Sequence, residues 1–242
     1  MAAKRSVLEQ ARAATSNARA AAGLVQTATE DLTPRLLKLH TANVHDAMRQ
    51  MGFKDFCLPH TFRPMTVHKT IAGPVFTVRG KAVKADPHET LLAWTGFLAK
   101  AKAGHIVVIA ANDDEVAHMG ELSGETLMRK GVRGVVTDGG CRDVEFLMEM
   151  GFPVYARYAS PRDIVGHWMV EAVDVPVKIG KVQIAPHDYL LADRDGVVIL
   201  PRDKASEIVS AATAAVATES QIRSALLSGM DPQEAYLKFG KF

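Results

Sequence analysis

The segment GVVTDGGCRDVEFLMEMG, residues 134–151, sets the expectation for the whole fold. It predicts a short apolar strand, a turn built on two adjacent glycines, and a helix that stops at Gly151. Arg142 and Asp143 follow the turn directly, at the start of the helix. Because ligands of α/β proteins bind beyond the carboxyl ends of the strands, this loop is the first candidate for a functional site.

The sequence on either side continues the alternation of strands and helices. Apolar strands are predicted in AGPVFTVRG (72–80), HIVVIAAN (105–112) and PVYARY (153–158). Helices are predicted in DPHETLLAWTGFLAKAKAG (86–104) and GELSGETLMRKG (120–131), each ending at a glycine. Short apolar strands separated by helices predict an α/β core with some parallel pairing.

The regions outside this core carry different patterns. An amphipathic helix is predicted from Thr33-Pro34 to Gly52, and residues 53–70, with two prolines, predict an irregular connection. Residues 173–201 combine short apolar runs with turn residues and predict a β-rich element, and a long helix is expected over residues 203–230.

The domain organisation is predicted to be simple. Residues 1–32 are rich in alanine and arginine, and we expect them to form an N-terminal helical arm. One α/β domain is expected over residues 33–242, since no repeat or linker interrupts it.

Composition excludes several classes of function. The chain has 242 residues with a net charge of +2, and its 29 basic and 27 acidic residues are mixed, so nothing favours nucleic acid as a partner. No apolar run approaches the ~18 residues that would span a bilayer. Cys57 and Cys141 lie far apart and form neither a disulfide framework nor a CxxC metal site. A cytoplasmic location is therefore expected.

The Arg142-Asp143 pair offers groups suited to a small anionic ligand. The guanidinium is a planar fork for a carboxylate, and the Asp143 carboxylate is a hard ligand suited to Mg²⁺ or Mn²⁺. The alternative is structural: Asp143 caps the helix and Arg142 forms a surface salt bridge.

A second loop, HMGELSGETL (118–127), also leads from a strand into a helix. Its first-turn backbone amides, from Gly120, Glu121, Leu122 and Ser123, form a potential site for a carboxylate. An ordinary turn between strand and helix is the alternative. Two such loops separated by a single βα unit suggest one shared site.

Together the loops resemble those of a known family. Gly120 is followed by 21 residues and then by Arg142-Asp143, with GVRGVVTDGGCRD (131–143) between. This spacing resembles the RraA-like family of 4-hydroxy-4-methyl-2-oxoglutarate/4-carboxy-4-hydroxy-2-oxoadipate aldolases. The resemblance extends to residues 72–80 and 173–201 and covers roughly residues 33–240.

The resemblance implies a swivelling β/β/α-type domain that assembles as a homotrimer or a dimer of trimers, with sites between subunits. It also implies class II chemistry that releases pyruvate from a small 2-oxo acid. Asp143 would hold Mg²⁺, Mn²⁺ or another divalent metal, and Arg142 would bind the keto-acid end of the substrate. The amides of Gly120 to Ser123 would hold its carboxylate. Glu121 would contact a metal-bound water, and the chemistry makes that water the candidate base. Glu219 either reaches a neighbouring site or is an exposed glutamate of the final helix.

The resemblance leaves alternatives open. Decarboxylation of oxaloacetate uses the same enolate chemistry, and some relatives are inhibitors of ribonuclease E that act by protein contacts. A methyltransferase is excluded because no glycine-rich nucleotide loop follows a first strand. The family usually has glycine where this chain has His187, which puts the local turn in doubt.

Other polar side chains are candidates of lower rank. His118 either lines the pocket or is a buried histidine, and Cys141 has no histidine partner in the sequence pattern, so it is expected to fill space. Arg79, Arg157 and Arg162 either meet a second substrate carboxylate or lie on the surface.

Overall fold

The computed structural model describes residues 31–241, and residues from Leu32 onward form one compact unit. The predicted N-terminal arm, 1–32, lies outside the described residues except for its last two positions. No helix in this part of the chain has the length and apolar character needed to cross a membrane.

The described part of the chain contains seven helices. They are α1 (Thr33–Leu36), α2 (Thr41–Gln50), α3 (Pro87–Lys100), α4 (Glu121–Arg129), α5 (Val144–Glu149), α6 (Ala205–Leu227) and α7 (Pro232–Phe239). Local sequence explains how α3 begins: the Asp86 side chain accepts hydrogen bonds from the His88 and Glu89 N–H groups, and Pro87 follows it in the first turn.

Twelve strands accompany these helices in the described residues. They are β1 (Arg63–Pro64), β2 (Ile71–Ala82), β3 (Ile106–Ala110), β4 (Gly134–Thr137), β5 (Gly140–Cys141), β6 (Val154–Ala156), β7 (Tyr158–Ala159), β8 (Trp168–Val173), β9 (Val177–Ile179), β10 (Val182–Ile184), β11 (Tyr189–Ala192) and β12 (Val197–Leu200).

The main sheet has the order β1-β6-β4-β3-β2-β11-β12. Strands β2, β3, β4 and β6 are parallel, whereas β11 and β12 extend the sheet in antiparallel pairing. The long β2 pairs with β11 through its first residues and with β8 through its last ones, with a register shift between Arg79 and Gly80. Because β2 changes partner along its length, the sheet curls. The protein therefore has the predicted α/β fold of the swivelling type.

Three apolar clusters hold these layers together. The first lies between the parallel strands and α3, α4 and α5, and the second lies on the other face of the sheet under the β9–β10 hairpin. The third joins α1, α2 and α6 to β11 and β12. Strand β3 is buried along its whole length, as expected for a central parallel strand with covered faces.

Most predicted elements are confirmed, but the predicted helix from Thr33-Pro34 to Gly52 is wrong in its middle. It splits into α1 and α2, with His40 extended between them. The Asp193 carboxylate accepts hydrogen bonds from both the N–H (2.8 Å) and the hydroxyl (2.7 Å) of Thr41. This tertiary contact fixes the start of α2 at Thr41, which the hydrophobic periodicity of the sequence cannot indicate.

Smaller differences concern the bounds and the number of elements. The predicted strand at 153–158 forms two strands, β6 and β7, and β8 has no counterpart in the predictions. Helix α3 ends at Lys100 rather than at Gly104, since Ala101 turns to an extended conformation. The second glycine of the predicted turn belongs to a separate short strand, β5, and α7 after the long α6 has no counterpart in the predictions.

Candidate active site

The two candidate loops lie side by side because their strands are parallel neighbours. Strands β3 and β4 pair in parallel register, so both loops leave the same edge of the sheet. The loops then bond to each other: the His118 N–H donates to the Gly140 carbonyl and the Arg142 N–H donates to the Met119 carbonyl, both at 2.8 Å. This backbone pairing fixes the distance between the start of α4 and the Arg142-Asp143 pair.

Gly120 leaves room for the Asp143 carboxylate. A Cβ atom at position 120 would lie 2.6 Å from the Asp143 Oδ2 atom and 3.1 Å from the Arg142 Cγ atom. The backbone of Gly120 is extended (φ −155°), a conformation open to any residue, so the need for glycine is steric. The missing side chain lets the first N–H of α4, from Glu121, donate to Asp143 Oδ2 at 3.1 Å.

Asp143 stands at the N-cap position of α5 but does not cap that helix. Its backbone is left-handed (φ 52°, ψ 38°), and its side chain accepts no hydrogen bond from the first turn of α5. The structural alternative in which Asp143 caps its own helix is therefore wrong. The carboxylate points across to α4, with 35% of the side chain exposed.

The Arg142 guanidinium lies between two carboxylates. Its Nε atom is 3.5 Å from Asp143 Oδ2, and its Nη1 atom is 3.5 Å from Asp163 Oδ2. Both distances exceed those of ordinary N–H···O hydrogen bonds, so these are ion pairs that leave N–H donors for a ligand. Thirty-nine per cent of the Arg142 side chain is exposed.

All six predicted site residues line one cleft of about 450 Å³: Gly120, Glu121, Leu122, Ser123, Arg142 and Asp143. Helix α3 forms the facing wall, and residues 163–165 close one side. The geometry brings together the groups that the two loops predicted. Their individual roles in catalysis and binding stay predictions.

The donor set can be compared with what different metals need. No group of three or more His, Cys, Asp or Glu side chains in the described residues is arranged to hold a metal ion. Such a group is what a structural zinc site requires. Mg²⁺, in contrast, keeps several waters and binds through one or two carboxylates plus substrate oxygens. The partly exposed Asp143 carboxylate fits that second kind of site.

His118 lies behind the loop rather than in the cleft. Its side chain is fully buried, and its Nδ1 atom accepts a hydrogen bond from the Gly140 N–H at 3.3 Å. Its Nε2 atom has no hydrogen-bond partner in the described residues, and the Asp113 carboxylate is 3.6 Å away. Burial lowers the pKa of His118 to about 4, although Asp113 acts in the opposite direction. The ring is therefore a neutral support for the glycine turn.

Two other titratable side chains of the loop lie away from the cleft: Cys141 is buried and Asp138 is partly buried. Burial, and then the charge of Asp143, raises the pKa of the Cys141 thiol to about 12, so no thiolate is available as a nucleophile. Burial raises the pKa of Asp138, whose carboxylate accepts a hydrogen bond from the Ala111 N–H. These side chains shape the loop and do not face the cleft.

The three arginines considered for a second carboxylate do not line the cleft. Arg79 and Arg162 pair with glutamates at 3.7 and 3.1 Å, and Arg157 donates to a backbone carbonyl at 3.3 Å. The geometry favours the alternative in which all three arginines lie on the protein surface.

Two further residues singled out in the sequence have partners within the chain. The Glu219 carboxylate accepts a hydrogen bond from Asn43 at 3.1 Å and pairs with Lys241 at 2.6 Å. His187 takes the left-handed conformation (φ 68°) that glycine adopts readily, and its N–H donates to the Val75 carbonyl. The turn therefore forms with histidine in place of glycine.

Sequence reasoning missed Asp163 and the α3 wall. Asp163 follows Arg162 in an irregular segment, and no spacing relates it to Arg142. Trp94 is a large aromatic residue in the predicted helix, which only weakly indicates that this helix lines a site. Its indole N–H donates to the Ser123 hydroxyl at 2.9 Å, a tertiary contact that the sequence pattern does not reveal.

A family model matches this chain over residues 41–199: RraA-like, described as Aldolase/RraA. Among curated proteins, the 4-hydroxy-4-methyl-2-oxoglutarate aldolase of Thermus thermophilus is 30% identical over 145 residues, which is 60% of this chain and 84% of that protein.

Two other similarities bear on length and fold. Protein DlpA of Legionella pneumophila is 25% identical over 209 residues, 85% of this chain, but the chain spans only 33% of DlpA. The structure of Streptomyces coelicolor RraAS2, described as an unusual member of the RNase ES inhibitor RraA protein family, superposes with a TM-score of 0.71 at 26% identity. That superposition covers 79% of this chain and 95% of RraAS2.

Proposed function

Because this chain belongs to the RraA-like family, we propose that it is a divalent-metal-dependent, class II aldolase that cleaves a 4-hydroxy-2-oxo acid to pyruvate. Decarboxylation of oxaloacetate is proposed as a related reaction of the same site. One observation carries the proposal: Arg142 and Asp143 face the first-turn amides of α4 across a single cleft.

Substrate binding is assigned to groups that have spare donors. The Gly124 N–H makes the first intrahelical bond of α4, to the Gly120 carbonyl, so the N–H groups of Leu122 and Ser123 precede any intrahelical acceptor. They suit the substrate carboxylate, which the helix dipole also stabilises. Arg142 suits the 2-oxo group, because its remaining N–H donors would stabilise the charge that develops on an enolate oxygen bound beside it.

A divalent metal held by Asp143 would supply Lewis acidity that lowers the energy of the pyruvate enolate. The chain itself fixes the Asp143 carboxylate through the Glu121 N–H, and it keeps Arg142 beside that carboxylate. Both groups are in position before the substrate arrives, which lowers the cost of reorganisation during the reaction.

Proton transfer is assigned to Glu121. Its side chain stands at the first position of α4, on the border of the cleft. A water held there would take the proton of the 4-hydroxyl group while the C3–C4 bond breaks and its electron pair passes into the enolate. The leaving half becomes a carbonyl compound, and protonation of the enolate carbon yields pyruvate.

The test is pyruvate release from oxaloacetate and from several 4-hydroxy-2-oxo acids, with Mg²⁺, Mn²⁺ or EDTA. Wild type should release pyruvate with metal and lose activity in EDTA, and folded Asp143→Ala should be inactive. If no substrate gives pyruvate with protein shown to be folded by circular dichroism, the aldolase proposal fails.

A binding protein of the ribonuclease E inhibitor type is the second candidate. The similarity to RraAS2 in structure supports it, and it would need no Asp143 carboxylate. Inhibition of a ribonuclease E by both wild type and Asp143→Ala, with no pyruvate from either, would favour this candidate.

We also propose that the protein acts in the cytoplasm as a homotrimer or a dimer of trimers. Apolar side chains are exposed near the site: Leu122 is 77% exposed, Leu92 62% and Phe146 53%. Such surfaces are typical of contacts between subunits. Light scattering should give a mass of three or six chains, and a monomer would contradict this.

A further inference from the structure

Two histidines meet at the end of the parallel strands opposite the candidate active site. His105 directly precedes β3, whereas the candidate loops follow the far ends of β3 and β4. His187 lies in the turn before β11, and its Nδ1 atom is 3.2 Å from the Nε2 atom of His105. Both rings are partly buried, and the proposed reaction uses neither of them.

The surrounding acceptors fix where the hydrogens of this pair lie. His105 Nδ1 is 3.0 Å from the Ala103 carbonyl oxygen, which can only accept, so Nδ1 carries a hydrogen. In the neutral ring Nε2 is then an acceptor, and the Nδ1 hydrogen of His187 donates to it. One added proton fits on His187 Nε2, which is 3.9 Å from the Asp174 carboxylate. A second added proton would place two N–H groups face to face and break the contact between the rings.

This contact attaches one end of a segment that covers the sheet. The cover segment, residues 174–187, contains the β9–β10 hairpin. Its buried side chains, each at most 3% exposed, are Val177, Ile179, Val182 and Ile184. Its first residue, Asp174, pairs with Lys102 at 2.6 Å, and its last, His187, bonds to His105. Both ends are therefore attached to the loop between α3 and β3, in addition to their backbone bonds to β2.

The charges around His187 oppose protonation of the pair. Burial, and then the Lys102 ammonium, lowers the pKa of His187, and His105 and Arg202 act in the same direction. Asp174 acts in the opposite direction, but its carboxylate is already paired with Lys102.

Two more charged side chains border this region. The Asp188 carboxylate accepts hydrogen bonds from the Ala185 and Arg202 N–H groups, and burial raises its pKa. The Arg133 side chain donates to the Gly104 carbonyl at 2.6 Å. Asp188 is thus directed at backbone donors of its own turn, and Arg133 adds a positive charge near the loop that carries His105.

From this arrangement we propose that the His105–His187 contact is a pH-sensitive switch, which holds the cover segment on the sheet in neutral solution and loosens it in acid. Imidazole suits this role because it is the side chain that ordinarily titrates between pH 5 and 8. The backbone bonds to β2 remain, so the segment opens more often without leaving the sheet permanently. This inference is independent of the reaction at the candidate active site.

Amide hydrogen exchange of the β9–β10 hairpin measures this loosening. After correction for the effect of pH on exchange itself, protection should fall about tenfold between pH 7 and pH 5, the loss expected for one hydrogen bond. The direction follows from His187, whose pKa lies below its ordinary value of 6.5 in the closed segment. The opened segment therefore binds protons first, and acid favours it.

His187→Gly is the main variant, since glycine readily adopts the φ of 68° found at that position. Hairpin protection should be low at both pH values and nearly independent of pH, although Asp188 still titrates. His88→Gln is the matched control, because His88 is an exposed histidine on α3, and it should keep the tenfold change. Amides of β3 report global unfolding, on which the buried His118 acts, so their pH dependence should persist in His187→Gly.

The ring tautomers provide a readout that needs no variant. Nitrogen-15 NMR at pH 7 should show a hydrogen on Nδ1 of both His105 and His187. A neutral His105 with its hydrogen on Nε2 would overturn the assigned order of hydrogen bonds, and with it the proposal.

The exchange experiment can also overturn the proposal. Hairpin protection that does not change with pH in wild type would do so, as would an undiminished response in His187→Gly or a lost response in His88→Gln. A hairpin response in wild type no different from that of β3, and unchanged by His187→Gly, would show that the loosening is global and that the contact does not control it.

Discussion

Asp193 follows β11 of the main sheet, Asp143 follows β5 of a separate two-stranded sheet, and the fold uses the two carboxylates differently. The Asp193 carboxylate accepts hydrogen bonds from the N–H and hydroxyl of Thr41 and from the N–H of Asp195, at 2.7 to 3.0 Å. Within residues 31–241, the Asp143 carboxylate accepts one hydrogen bond, from the Glu121 N–H. Eleven per cent of the Asp193 side chain is exposed, whereas 35% of the Asp143 side chain is exposed in the cleft.

This difference distinguishes a structural carboxylate from a functional one. Where backbone donors occupy both oxygens, as at Asp193, the carboxylate stabilises a loop and a helix start. Where one donor binds one oxygen and the other oxygen faces a cleft, as at Asp143, the carboxylate is oriented and can still bind a ligand. The same contrast holds against Asp188, which accepts from the Ala185 and Arg202 N–H groups.

Matched asparagine variants give the largest expected effect. Asp143→Asn keeps the shape of the side chain but removes its charge, so kcat/KM for pyruvate release should fall on the order of 10³-fold. Its urea midpoint should stay close to that of wild type. Steady-state kinetics and urea unfolding measure the two properties.

Asp193→Asn is the control for that prediction. Its amide group would face at least one backbone or hydroxyl donor, so the free energy of unfolding should fall by roughly 2 kcal/mol. Activity per folded molecule should be unchanged. A stability loss at Asp143 equal to that at Asp193 would contradict the division between the two carboxylates.

The close approach of Gly120 to Asp143 predicts the second-largest effect on activity. Gly120→Ala places a Cβ atom 2.6 Å from Asp143 Oδ2, so the carboxylate must move away from the Glu121 N–H. We expect kcat/KM to fall by about 10²-fold, the loss typical of a misplaced reacting group.

Gly96→Ala serves as the matched change on α3. No atom lies within 4 Å of the added Cβ, so the variant should gain about 0.5 to 1 kcal/mol of stability. Full activity of Gly120→Ala would show that the close approach of Gly120 to Asp143 is unimportant for the reaction.

The smallest expected effect is a pH dependence from His118. Its pKa in the folded protein, about 4, lies below the ordinary value of 6.5 because burial disfavours the charged ring. Protons therefore bind the unfolded chain first, and stability falls as the pH drops from 6.5 towards 4. Between pH 7 and pH 5 this group should cost about 2 kcal/mol.

His118→Asn tests this because asparagine can still accept the Gly140 N–H but does not titrate. Urea unfolding of both proteins at pH 7 and pH 5 should show a smaller loss in the variant. Equal losses of stability in wild type and variant would mean that Asp113 keeps the pKa of His118 in the folded protein near its ordinary value.

Much of the fold could be predicted because its signals are local. The apolar run at Ile106–Ala110 predicted β3 correctly, and the glycine pair before Arg142 predicted the position of the loop, although Gly140 belongs to β5. The break at His40 could not be predicted, because Asp193, 152 residues from Thr41, fixes it. Likewise, Asp163 reaches Arg142 only through the folded path of an irregular segment.

The sequence by itself determined the alternation of strands and helices in the α/β core, the two loops, and the residues Gly120, Arg142 and Asp143. It does so because hydrophobic periodicity and turn residues act over a few positions. Only the tertiary structure decided that Asp143 bonds to α4 rather than capping α5, that His118 supports the loop from behind, and that α3 lines the cleft with apolar side chains. Each of these depends on parallel pairing and packing between distant segments, and the free energy of those contacts is not encoded in any short stretch of the chain.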